Sequence, residues 1–196
     1  MKFNDLRVAH KMWSVILGLL LLMLAAAVSI QLYSRSVTDK TEALVERYES
    51  AITTALSWRG LAELAVTMSM SGFVTTDAKL KEDFDARVPA LTARITPVQE
   101  KINKSAISDA DKAALAAVAA ARADVRGQGD KIKELVEAGD PAAKQKFLET
   151  VYRPKIALYL ESIDKFVALQ ERQRDEAVQA DKAASTKMVW VAGAVV

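Results

Sequence analysis

The sequence predicts an all-α protein: an antiparallel up-down-up-down four-helix bundle whose first and last helices continue into transmembrane helices. Three observations predict it. An uncharged apolar run from Met12 to Ile30 approaches the ~20 residues one helix needs to cross a bilayer. A second apolar run, Met188 to Val196, reads as the start of another crossing, with Trp190 at interfacial depth. The polar chain between them is rich in Ala, Leu, Glu, Lys and Arg. It carries apolar residues in alternating steps of three and four, without strand-like alternation.

The elements follow in order. Residues 1–11 form a tail with Lys2, Arg7 and Lys11 against Asp5, and that basic excess predicts a cytoplasmic N-terminus. Residues 12–32 form the first transmembrane helix. A cleaved signal peptide is the rival reading, because Ala25-Ala26-Ala27 has the character of a cleavage site. The apolar stretch of ~19 residues is longer than the ~7–15 of a signal core. Residues 33–187 then lie outside the cytoplasm, in the periplasm of a double-membraned bacterium, and residues 188–196 begin the second crossing. The expected location is the inner (cell) membrane, multi-pass, with a periplasmic sensor domain.

Three breaks divide residues 33–187. Ser71-Gly72 followed by Thr75-Thr76-Asp77 can end one helix and cap the next. Asn103 to Ser108 is the second, with Ser108 as N-cap and Asp109 and Asp111 at the positive end of the following helix. Gly139-Asp140-Pro141 is the third: glycine ends a helix, aspartate caps the next and proline takes its first turn. The helices are expected near 33–74, 77–104, 109–138 and 141–187. At 1.5 Å per residue the outer two run ~63 and ~69 Å and the middle two ~40 Å. Pro89, Pro97 and Pro154 should kink these helices or mark different boundaries. Gly127 and Gly129 weaken the third helix or let a neighbour or ligand approach.

Each helix carries an inward stripe. On the first it includes Ile52, Ala55, Arg59, Ala62 and Val66; on the second Phe84, Val88, Leu91, Ile95 and Ile102. On the third it is Leu115, Val118, Arg122, Val125, Gly129, Ile132 and Val136, and on the fourth Leu148, Tyr152, Ile156, Tyr159, Ile163 and Phe166. The first helix has a second apolar stripe through Ala51, Trp58, Leu61, Ala65 and Met68. It either pairs with a second copy or widens one buried face.

Composition excludes several classes. Of 27 basic and 25 acidic residues, three and one lie in the tail, and the remainder balance without the one-sided enrichment that nucleic acid requires. There is no cysteine, and the only histidine is His10, so disulfides, thiolate metal sites and histidine catalysis are unavailable outside the membrane. No phosphate loop, nucleophile elbow or metal-spaced set occurs. The chain is therefore expected to be no enzyme and to carry no cofactor.

Arginines on the inward seams stand out, because a buried guanidinium is costly unless an acid satisfies it. Counting helical rise places Arg59, Arg94, Arg122 and Tyr159 at one level, with Arg126, Tyr152 and Arg153 about one turn higher. Convergent guanidiniums without matching acids suit a carboxylate ligand, with tyrosine hydroxyls orienting further oxygens. The alternative is local pairing, of Arg59 with Glu63 or of Arg126 with Asp130.

The opening MKFNDLRVAHKMW before the apolar span, and LVEAGDPAAKQKFL at the turn into the last long helix, resemble bacterial methyl-accepting chemotaxis receptors. The resemblance covers essentially all 196 residues and rests more on layout than on any one motif. It implies a homodimeric receptor whose later part, a linker and cytoplasmic coiled coil, acts through kinase-coupling proteins. The aspartate and serine receptors of that family hold an amino acid with three arginines along the first helix. Arg59 matches the first, but Leu64 and Met68 stand near the other two, so that site is largely missing. A site inside one bundle, binding an organic acid such as a di- or tricarboxylate, is the expectation. The rivals are the sensor part of a histidine kinase or nucleotide cyclase, and a periplasmic protein-interaction module.

Overall fold

The computed structural model describes the backbone of residues 8–194 and the side chains of residues 12–187, Ser34 and Val37 excepted. Five α-helices and one π turn succeed one another: α1 (Val8–Val74), α2 (Ala78–Ser105), α3 (Asp109–Glu137), α4 (Pro141–Phe147), a π turn (Leu148–Tyr152) and α5 (Arg153–Ala194). Two compact units result, one made of Glu46–Asp175 and the other of the segments before and after it in sequence.

The unit Glu46–Asp175 is a four-helix bundle, with α4, the π turn and α5 acting as the fourth helix. Its antiparallel order is written in which residues meet. Along α1 and α2, Arg47 reaches Ser105 while Gly72 faces Phe84. Along α1 and the fourth helix, Glu49 meets Arg174, Trp58 meets Tyr159, and the Phe73 carbonyl accepts from Lys144. Along α3 and the fourth helix, Asp111 meets Gln170 and Asp124 meets Lys155. Numbers rise on one helix as they fall on the other in every case.

The helix ends obey local chemistry. Asp77 accepts from the amides of Lys79 and Leu80 at the start of α2. Ser108 and Asp111 form a reciprocal capping box on α3. Gly139 adopts φ 68°, the left-handed conformation that closes a helix, then Asp140 caps α4 and Pro141 opens it. Cations from other helices finish two C-termini, Arg47 on the Ser105 carbonyl and Lys144 on that of Phe73.

Pro89 and Pro97 lie inside an unbroken α2. Pro154 has a visible consequence. It lacks the N–H that would bond the Thr150 carbonyl, and the turn just before it is wound as π rather than α.

The inward stripes form the core, with Ala55, Ile102, Val118, Ile132 and Ile163 fully buried. The second stripe of α1 is also inside: Ala51, Trp58 and Ala65 are buried within a single chain, so α1 presents one broad buried face. Val136 departs from expectation and is exposed. It lies in the last turn before Gly139, where the stripe shifts to half-buried Leu135.

In the other unit, α1 carries the Met12–Ile30 run with its apolar side chains exposed around the helix, Trp13 and Leu22 among the most exposed. Such a helix needs an apolar surrounding, and it is long and apolar enough to cross a membrane. Residues 1–7 of the expected tail lie outside the described residues, as do the side chains of 188–196, where the second crossing was expected.

Candidate functional site

All four helices of the bundle wall a cavity of about 820 Å³. Four of the six residues singled out from sequence line it: Arg122 and Arg126 from α3, Tyr152 from the π turn and Tyr159 from α5.

The two tyrosines are buried core residues with their hydroxyls held in place. The Trp58 indole N–H donates to the Tyr159 hydroxyl at 3.1 Å, which leaves the phenolic proton of Tyr159 free to donate elsewhere. Tyr152 is hydrogen-bonded to the Ser69 side chain and stacks edge-on against Phe73, centroids 5.8 Å apart. Burial raises both phenols above their ordinary range; Trp58 and the nearby charge of Arg122 offset this in part at Tyr159. Both are neutral donors at physiological pH.

Arg122 is half-buried and is steadied by Gln99, whose side-chain oxygen accepts one guanidinium N–H. Four of its five donors remain. Arg126, one turn on, is exposed at the mouth and makes no hydrogen bond or ion pair among the described residues; Asp130, the acid expected to pair with it, instead meets Lys133 at 3.6 Å. The other acid of the lining, Asp85, pairs with Lys81 at 3.1 Å. The rim acids are thus answered by lysines, and the two arginines are left for something else.

Arg59 and Arg94 are elsewhere, which corrects their expected place on one inward level. Arg59 turns to the outside of the bundle, bonded to Asp164 at 2.5 Å and Glu63 at 2.7 Å, with its guanidinium stabilised above its ordinary value chiefly by the Asp164 hydrogen bond. Its seam neighbours Ala55 and Ala62 are buried, but its long stem carries the charge outward. Arg94 is exposed and does not line the cavity. Arg59→Ala should therefore cost less than about 1 kcal/mol, as exposed ion pairs do, and leave any ligand affinity unchanged. A tenfold change in affinity would return Arg59 to the site.

Gly127 and Gly129 line the cavity with nothing within 4 Å of where a Cβ would stand, so they leave room and admit no close neighbour. Sequence reasoning missed Thr92 and Thr96, which lie one turn apart on the cavity wall of α2. Their signal was faint: each follows a core residue, Leu91 or Ile95, by one position. Among the described residues no group of His, Asp or Glu is placed to hold a metal ion.

A family model described as a four helix bundle sensory module for signal transduction matches residues 5–185. No curated protein matches the chain.

Proposed function

The chain belongs to the family of four-helix-bundle sensory modules for signal transduction, and from that premise we propose that its bundle binds a small carboxylate-bearing molecule and reports it across the inner membrane to control chemotaxis. The observation that carries this reading is Arg122, half-buried in the cavity wall with Tyr159 close by and, among the described residues, no acid bonded to it. A carboxylate there would take charge-assisted bonds from the guanidinium and one from the Tyr159 hydroxyl. The basic tail before the first apolar run supports a periplasmic position for the bundle.

Both α1 and α5 wall the site, through residues such as Ser69 and Tyr159, and both run on in sequence toward the apolar segments. A ligand that binds one arrangement of these helices more tightly shifts their equilibrium, which is the signal. The receptor would work as a homodimer, with a later part of the receptor engaging kinase-coupling proteins. Exposed Leu56 and Leu64, either side of open Gly60 on α1, support such pairing.

Calorimetric titration of the full chain in nanodiscs with a panel of organic acids tests the proposal. At least one should bind, and Arg122→Ala should weaken it more than tenfold, the loss of one charge-assisted contact of ~1.5–3 kcal/mol. Folded protein that binds none of the panel would sink the reading.

A further inference from the structure

We infer that the ligand is an amphipathic monocarboxylate, one carboxyl group on a planar apolar body of aromatic-acid type, rather than a di- or tricarboxylate. The inference rests on the cavity being the binding site. Its ground is the uneven distribution of chemistry along the cavity.

Side-chain contacts fix the two ends. At one end Tyr159 is bonded to Trp58 and feels the charge of Arg122, which Gln99 steadies. At the other end Tyr152 packs on Phe73, and Phe84 lies against the α1 backbone, 3.4 Å from where a Cβ on Gly72 would stand. Tyr159 and Tyr152 are seven residues apart, so the ends are separated by ~10 Å along the helix. That is about the length of a small aromatic acid.

The charged end is sparse. Of the four arginines expected together, Arg59 is spent on Asp164 and Glu63, Arg94 is outside the lining and Arg126 is exposed at the mouth. Arg122 is the one arginine of the lining that is half-buried. One guanidinium matches one carboxylate bidentately. A second or third carboxylate would have to enter the Phe73, Phe84 and Tyr152 end. The cations of the lining besides Arg122 are exposed Arg126 and exposed Lys133, the latter paired with Asp130, so a carboxylate there would lose hydration for little in return. An aromatic ring gains in the same place by apolar burial and edge-to-face contact. Val66, Val88 and Val125 add apolar surface to the lining, beside the hydroxyls of Thr92 and Thr96.

The test titrates the full chain in nanodiscs with benzoate, phenylacetate, benzyl alcohol, succinate and citrate. Benzoate or phenylacetate is expected to bind at least tenfold more tightly than succinate or citrate, and benzyl alcohol at least tenfold more weakly than benzoate. Arg122→Ala, shown folded by circular dichroism, should abolish the difference between benzoate and benzyl alcohol. Succinate or citrate binding as tightly as the aromatic acids, with that binding lost in Arg122→Ala, would overturn this inference and leave the cavity as the site. Benzyl alcohol matching benzoate would overturn it too. If none of the five binds, the inference fails, and the proposed site fails with it when the wider panel is also silent.

Discussion

Trp58→Ala is expected to destabilise the bundle by about 3–5 kcal/mol, the range for removing a large aromatic from a packed core. Among the described residues Trp58 is the largest fully buried side chain, only 1 % exposed. It sits on the α1 face that meets the fourth helix, where its indole N–H also donates to Tyr159. The substitution opens a void beside Ala55 and Ala62, which are too small to fill it. It also frees the Tyr159 hydroxyl. Thermal unfolding followed by circular dichroism should show a midpoint lower by ~10 °C or more. Trp58→Phe separates the two effects. It keeps most of the ring and loses the hydrogen bond, at a cost nearer ~1 kcal/mol plus a smaller void. If Trp58→Ala lowers the midpoint by less than a few degrees, Trp58 is not the keystone of the α1 seam.

Asp111→Ala is expected to cost about 2–4 kcal/mol, combining a lost helix cap of ~1 kcal/mol with buried donors left unpaired at ~1–3 kcal/mol. Asp111 is 1 % exposed and, among the described residues, is one of two buried polar side chains, the other being Gln170. One of its oxygens accepts from the amides of Ile107 and Ser108, and the other from the Gln170 side chain at 2.7 Å. Gln170 and Gln173 continue the network to the Ser108 hydroxyl. A single carboxylate thus closes the α2–α3 turn and ties it to α5. Burial opposes the charge, but the hydrogen bonds from Ser108, Ile107 and Gln170 outweigh it, and the carboxyl lies below its ordinary value.

That direction fixes the pH behaviour. A carboxyl whose folded pKa is depressed adds stability above its unfolded value of about 3.9, and the gain is lost as pH falls through the folded pKa. The difference in midpoint between the native chain and Asp111→Asn should therefore be full near neutral pH and shrink below about pH 4. A difference that stays constant down to about pH 3 would show that the charge of Asp111 contributes nothing.

The helices and their ends were legible in the amino-acid order alone, because those signals act within one turn of chain. Asp77, Ser108 and the Gly139-Asp140-Pro141 turn act on amides a few residues away, and the structure places each cap where the sequence put it. The Met12–Ile30 run was equally legible, since only continuous apolarity is needed. Spacing also found the positions that converge on the cavity, Arg122, Tyr152 and Tyr159 among them.

The remaining choices needed the packed bundle. A residue count fixes a position on a helix to within about a turn, and a long side chain can then lean to either flank. Arg59 leaned outward because Asp164 stands beside it, 105 residues away in sequence. The Asp111–Gln170 bond spans 59 residues and left no mark at either end. Whether the second stripe of α1 faced its own bundle or a partner depended on Trp58 meeting Tyr159. Such choices are made by the register of one helix against another, a quantity no local window of sequence contains.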